Sequence, residues 1–101
     1  MKLLIVTTVA EYQRDVLKMF KESGVEAFST SEIDGYKNLK ESAGSPSWFP
    51  AIKAGYDSLL YFSFTDEEKL DRFLEMAKSY NEQLKTNNPV RAVSLNIEKF
   101  I

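Results

Sequence analysis

Gly24-Val25-Glu26-Ala27-Phe28-Ser29-Thr30-Ser31-Glu32-Ile33-Asp34-Gly35-Tyr36 is the stretch that decides the fold. A helix-spaced pattern runs into Gly24, where a left-handed residue stops a helix without the Cβ penalty. A strand rich in Ser and Thr then occupies 27–33 and is closed by Gly35. Residues 35–55 hold three of the four glycines and two of the three prolines, Pro46 and Pro50. That is loop chemistry, and a loop of this length in a small domain is uncommon unless it carries function.

Working outward, residues 2–9 are a continuous apolar and β-branched run, as expected for a central strand. From Glu11 the period becomes helical, with Tyr12, Val16, Leu17 and Phe20 on one stripe. Residues 56–64 give a third strand. Thr65-Asp66-Glu67-Glu68 matches a capping box with Thr65 at the cap. Leu70, Phe73, Leu74, Ala77, Tyr80 and Leu84 form the stripe of a second helix, ended by Asn87-Asn88-Pro89. Residues 90–97 give the last strand, with Val93, Leu95 and Ile97 on one face. The order β-α-β-loop-β-α-β predicts one α+β domain over residues 1–101. It is a ferredoxin-like sandwich, a four-stranded antiparallel sheet with two helices on one face. Two helices leave the other face open while alternate strand positions there are apolar, so an oligomer is expected.

Composition removes several functions. The 101 residues suit a single core, and the net charge of −2 gives no basic footprint for nucleic acid. There is no cysteine and no histidine. Disulfides, thiolate metal sites and catalysis by Cys or His are therefore excluded within one chain type. No run approaches the roughly 20 apolar residues of a membrane span, and the opening residues lack the pattern of a signal peptide. The cytoplasm is the expected location, with no direct insertion into a membrane. Asp66, Glu67 and Glu68 read as helix-start residues rather than a metal site, so no metal ligands are assigned.

Outside the loop the chain resembles the PII signal-transduction family. The resemblance is carried by Met1-Lys2, Val16, Gly24, Ser29, Glu32 and Gly35, and by Leu95-Asn96-Ile97-Glu98 in the closing strand. It implies a non-enzymatic regulatory homotrimer whose long loop engages a partner, such as a membrane transporter or an enzyme. It also implies ATP or ADP bound in clefts between subunits. Ser29 matches a hydroxyl position on the second strand, Lys37 stands where a glycine is expected, and Arg91 replaces a phosphate-binding lysine. These three are the candidate ligand-binding residues. The family's glycine-rich turn is here residues 86–90, Thr-Asn-Asn-Pro-Val. Pro89 has no N–H, and phosphate is best cradled by glycine-rich backbone, so weak or absent ATP binding is expected.

Each residue also has a structural reading. Ser29 reads first as a polar strand residue, and Arg91 as a solvated flank or an intersubunit ion pair. Trp48 and Phe49 are candidate partner anchors, since Trp is enriched at binding hot spots, or they fold back onto the protein. The alternative family reading is a CutA-like trimer with a structural or metal-tolerance role, which Thr7-Thr8-Val9 also suggests. The missing His and Cys argue against soft-metal binding there.

Overall fold

A computed structural model of the chain describes residues 1–35 and 56–101. Lys37, Trp48 and Phe49 lie outside the described residues. β1 (Lys2–Val9) leads through a 3-10 turn at Ala10–Tyr12 into α1 (Gln13–Ser23). β2 (Ser29–Gly35), β3 (Tyr56–Thr65), α2 (Glu67–Leu84) and β4 (Arg91–Asn96) follow. The four strands lie in the order β2-β3-β1-β4, every neighbouring pair antiparallel. This is the α+β ferredoxin-like arrangement expected from the element order.

Strand alternation divides the sheet into two unlike faces. The register places Leu4 and Val6 beside Ser63 and Tyr61, and both helices pack on this side. Val16, Met19, Phe20 and Ser23 are the buried positions of α1, at the i, i+3, i+4, i+7 spacing of one helical face. Leu17, expected in that stripe, is instead exposed, and Met19 takes its place in the core. From α2 come Leu70, Phe73 and Ala77. The centre of the core is aromatic. Phe20 stacks on Phe28 with centroids 4.3 Å apart and meets Phe73 at 4.6 Å and Tyr61 at 5.3 Å. Such pairs add about 0.5–1.5 kcal/mol each beyond the area they bury.

Gly24 ends α1 with φ of 87°, and its N–H reaches the carbonyls of Lys21 and Phe20. The chain then runs to Phe28 without regular structure before joining the ladder. β2 therefore begins at Ser29 and not at 27, because Phe28 packs on Phe20 and the Ala27 carbonyl accepts from the Ser63 hydroxyl. The capping box is corrected too. Thr65 belongs to β3, where it pairs with Lys2, and Asp66 caps α2 by accepting the Lys69 N–H at 2.9 Å. Lys69, not a Glu, then occupies the third helical position, so no reciprocal box forms. α2 ends at Leu84 rather than at Asn87, with Lys85 left-handed at φ 51°.

One uncompensated buried group lies in the core. The Tyr61 hydroxyl is fully enclosed on the helix side and finds no hydrogen-bond partner among the described residues. Burial pushes its pKa up. An unsatisfied buried hydroxyl costs roughly 1–3 kcal/mol. Tyr61→Phe keeps the ring and removes the group, so stability should rise by about 1 kcal/mol. Urea denaturation at fixed protein concentration measures this, and a loss of stability would reveal a partner for the hydroxyl.

The Asp66 cap gives a pH test. Its backbone hydrogen bond from Lys69 holds the carboxyl below the ordinary 3.8. A depressed folded pKa contributes stability above the unfolded pKa and loses it as pH falls from 3.8 through the folded value. Asp66→Asn retains an acceptor and should unfold with less acid sensitivity than the wild type between pH 5 and about 2, read by circular dichroism.

Candidate functional site

The face away from the helices is apolar and largely uncovered. Pairing sets Leu3 between Phe64 and Leu95, and Ile5 between Phe62 and Val93. Phe62 is 40% exposed, Phe64 57% and Leu95 47%, which marks this face as unfinished surface rather than core. Phe62 and Phe64 meet edge to face at 6.3 Å. Higher on the same face, Thr7, Val9 and Ser58 are buried. The strand pattern signalled an apolar second face, and the register now names its residues.

Ser29 and Arg91 lie on this same face but at opposite edges of the sheet. Ser29 pairs with Phe62 on edge strand β2, and Arg91 pairs with Thr7 on edge strand β4. Three strand spacings separate the edges, roughly 14 Å. One copy therefore does not bring the two residues onto one small ligand. Ser29 is exposed. Arg91 is half-buried, and its Nε is enclosed with no hydrogen-bond partner among the described residues.

The turn that delivers Arg91 is held from two sides. Asn81, in the last turn of α2, brackets Val90. Its Nδ2 donates to the Val90 carbonyl at 2.9 Å, and its Oδ1 accepts the Val90 N–H at 2.8 Å. Thr86 Oγ1 accepts the Asn88 N–H at 2.9 Å and lies 2.7 Å from the Tyr12 hydroxyl. Tyr12 in turn packs edge to face on Tyr80, whose hydroxyl donates to Asp15 at 2.7 Å. Partial burial, and then this bond to Asp15, hold the Tyr80 phenol well above the usual range. Asn88 and Val90 thus have engaged N–H groups, and Pro89 has none. Three of the five positions 86–90 offer no N–H to an incoming anion.

Sequence reading missed Asn81. Its signal was an Asn in a helix interior, where the side chain has low propensity and a habit of bonding backbone. Two further hollows carry no assigned chemistry. A groove of about 490 Å³ between the helices is lined by Met19, Met76 and Tyr80 among others. A hollow of about 440 Å³ at the base of β2 and β3 holds Glu32, Asp34 and Asp57. Asp34 stands directly opposite Asp57, a like-charge pairing that weakens that end of the ladder. Among the described residues, no group of three or more acidic side chains is arranged to hold a metal. No helix among them is long and apolar enough to cross a membrane.

Neither a family model nor a curated protein matches this sequence. Solved structures do. A PII-like signalling protein of Thermus thermophilus superposes with a TM-score of 0.66 at 14% identity, covering 95% of this chain and 85% of that one. The fold is that of the PII-like signalling proteins. CPII, a nitrogen regulatory PII-like protein of Thiomonas intermedia, gives a TM-score of 0.62 at 16% identity, covering 99% and 94%. That structure holds ADP, AMP and bicarbonate. Here, Asn88 and Val90 have engaged N–H groups and Pro89 has none, which leaves fewer donors in the turn before β4 for a phosphate. Calorimetry with ATP should give no binding at micromolar concentrations. Micromolar affinity lost in Arg91→Ala would show that the turn opens to receive phosphate.

Proposed function

We propose that this chain is a non-enzymatic PII-like regulatory protein, working as a homotrimer that binds a small ligand near Arg91 and reports its state to a protein partner. The carrying observation is the uncovered apolar face of Leu3, Ile5, Phe62, Phe64, Val93 and Leu95. A single chain has no further helix among the described residues to cover it. Further copies of the same face can do so, removing the patch from water at about 25 cal/mol per Å².

The edges support a closed ring. In a head-to-tail ring each copy presents one edge to the unlike edge of the next. The β4 edge of one copy, with Arg91, then approaches the β2 edge of its neighbour, with Ser29. A ligand at that boundary contacts two copies at once, although the residues are roughly 14 Å apart within either one. The fold shared with signalling proteins and the lack of His and Cys both favour regulation over catalysis. Lys37, Trp48 and Phe49 keep their place in this reading as proposals from the sequence. Lys37 would reach the ligand, and the aromatic pair would anchor a transporter or enzyme.

Light scattering should give a mass of about 35 kDa, three times the 11.6 kDa chain. Phe64→Asp places a charge in the proposed contact and should shift the mass to that of one chain, with helix content retained. A monomeric wild type at micromolar concentration would overturn the assembly. Trp48 is the only tryptophan. Its emission should move when the true partner is added and stay constant with unrelated proteins.

A further inference from the structure

The outer side of the helix layer carries a groove that neither the core nor the open face uses. α1 and α2 run antiparallel along it. The Tyr80 hydroxyl donates to Asp15 at 2.7 Å towards one end, and Arg72 Nε donates to the Ser23 carbonyl at 3.2 Å towards the other. Between these ties lies the hollow of about 490 Å³. Met19, Met76 and Tyr80 give it an apolar lining. Asp15, Glu22 and Glu75 stand on its rim, all exposed. Against them stands one cation among the described residues of the lining, Lys18. Glu22, Glu75 and Lys18 make no ion pair among the described residues.

We propose that this groove docks a basic amphipathic helix of a protein partner, with one apolar side chain on the methionines and an arginine or lysine one turn to either side. Asp15, Met19 and Glu22 follow one another at i, i+4, i+7 on α1, so the apolar position lies between two carboxylates. At 1.5 Å per residue, Asp15 and Glu22 are about 10 Å apart along the axis. On an incoming helix, the residues four before and four after a central one are about 12 Å apart. The two spacings match, so both cations can meet a carboxylate while the central side chain is buried. A ridge of side chains on a third helix fits the furrow between two packed helices. The unbranched thioethers of Met19 and Met76 adapt to whichever apolar side chain arrives. The surplus of carboxylates attracts a basic segment and repels an acidic one.

The groove is lined from the two helices, on the side of the sheet away from Phe62, Phe64 and Leu95. Covering the open face with further copies therefore leaves the groove in water. Arg91 is not part of its lining. The proposal thus goes beyond the reading above of a ligand near Arg91 and a partner at the loop, and it does not depend on either.

The test uses the intact chain with its three methionine methyls labelled with carbon-13. Met19 and Met76 line the groove, and Met1 is the internal control. The probe is an alanine-based helical peptide with a central leucine and an arginine four residues to either side. Its addition should shift the Met19 and Met76 signals and leave Met1 in place. Raising the salt from about 50 to about 500 mM should weaken binding, since exposed charges are then screened. Glu22→Gln combined with Glu75→Gln should weaken binding about fivefold. Both side chains are exposed, so the core is untouched. Glu26→Gln combined with Glu98→Gln removes the same charge from exposed positions outside the groove and should bind as the wild type. The same weakening in both double variants would overturn the proposal, because net charge and not the groove would then govern binding. Equal binding of a peptide with glutamates in place of the arginines would overturn it as well. Arginine amide shifting both signals at the peptide's concentration would replace the helix with a small cation as the occupant. Met19 and Met76 signals that stay fixed at millimolar peptide would exclude the groove as a docking site.

Discussion

Two helices can cover one face of a four-stranded sheet, and everything else about this protein depends on that one-sided coverage. On the covered face, Phe20, Phe28, Phe73 and Tyr61 close a dense aromatic core around Leu4 and Val6. On the other, Phe62, Phe64 and Leu95 keep 40% or more of their surface in water. An apolar surface of this kind favours association, because water is released from both partners at once. The same asymmetry gives the edge strands their importance. They are where the open face ends.

The turn before β4 is the counterpart of the open face. Instead of leaving backbone groups free for a ligand, it satisfies them with Asn81 and Thr86. A proline and two asparagines make for a stiffer chain there than glycines would. Lys85, left-handed without being glycine, shows that the sharp exit from α2 is held by its surroundings and not by local preference.

Much of this was legible in the sequence, and the failures have physical causes. β1 and the two helices could be read because a buried strand and an amphipathic helix impose different periods. Gly24 was legible because a positive φ selects glycine. Thr65 was misread as a cap since a local motif cannot register that its backbone is already paired with Lys2 across the sheet. Leu17 and Met19 exchange places because helix rotation is set by the partner surface. The start of β2 moved for a similar reason, the stacking of Phe28 on Phe20. Of the candidate site, Arg91 and Ser29 were found by resemblance, but their separation on opposite edges required the strand order. The Asn81 bracket left only the trace of an Asn within a helical pattern, since it joins residues nine apart through side-chain geometry. Lys37, Trp48 and Phe49 rest on sequence throughout.

The register also sorts the two ends of the sheet. Lys2 pairs with Asn96, so the first and last strands begin and finish side by side. At the far end Gly35 faces Tyr56 and Thr7 faces Arg91. The connection through residues 36–55 and the turn at 86–90 therefore leave from one pole, and the flanks of β1 and β4 from the other. A peptide bridging those flanks would not pass near the pole of Arg91. Affinity tags, fluorophores and surface tethers belong at the pole of the flanks, where they leave the pole of Arg91 and Gly35 unobstructed.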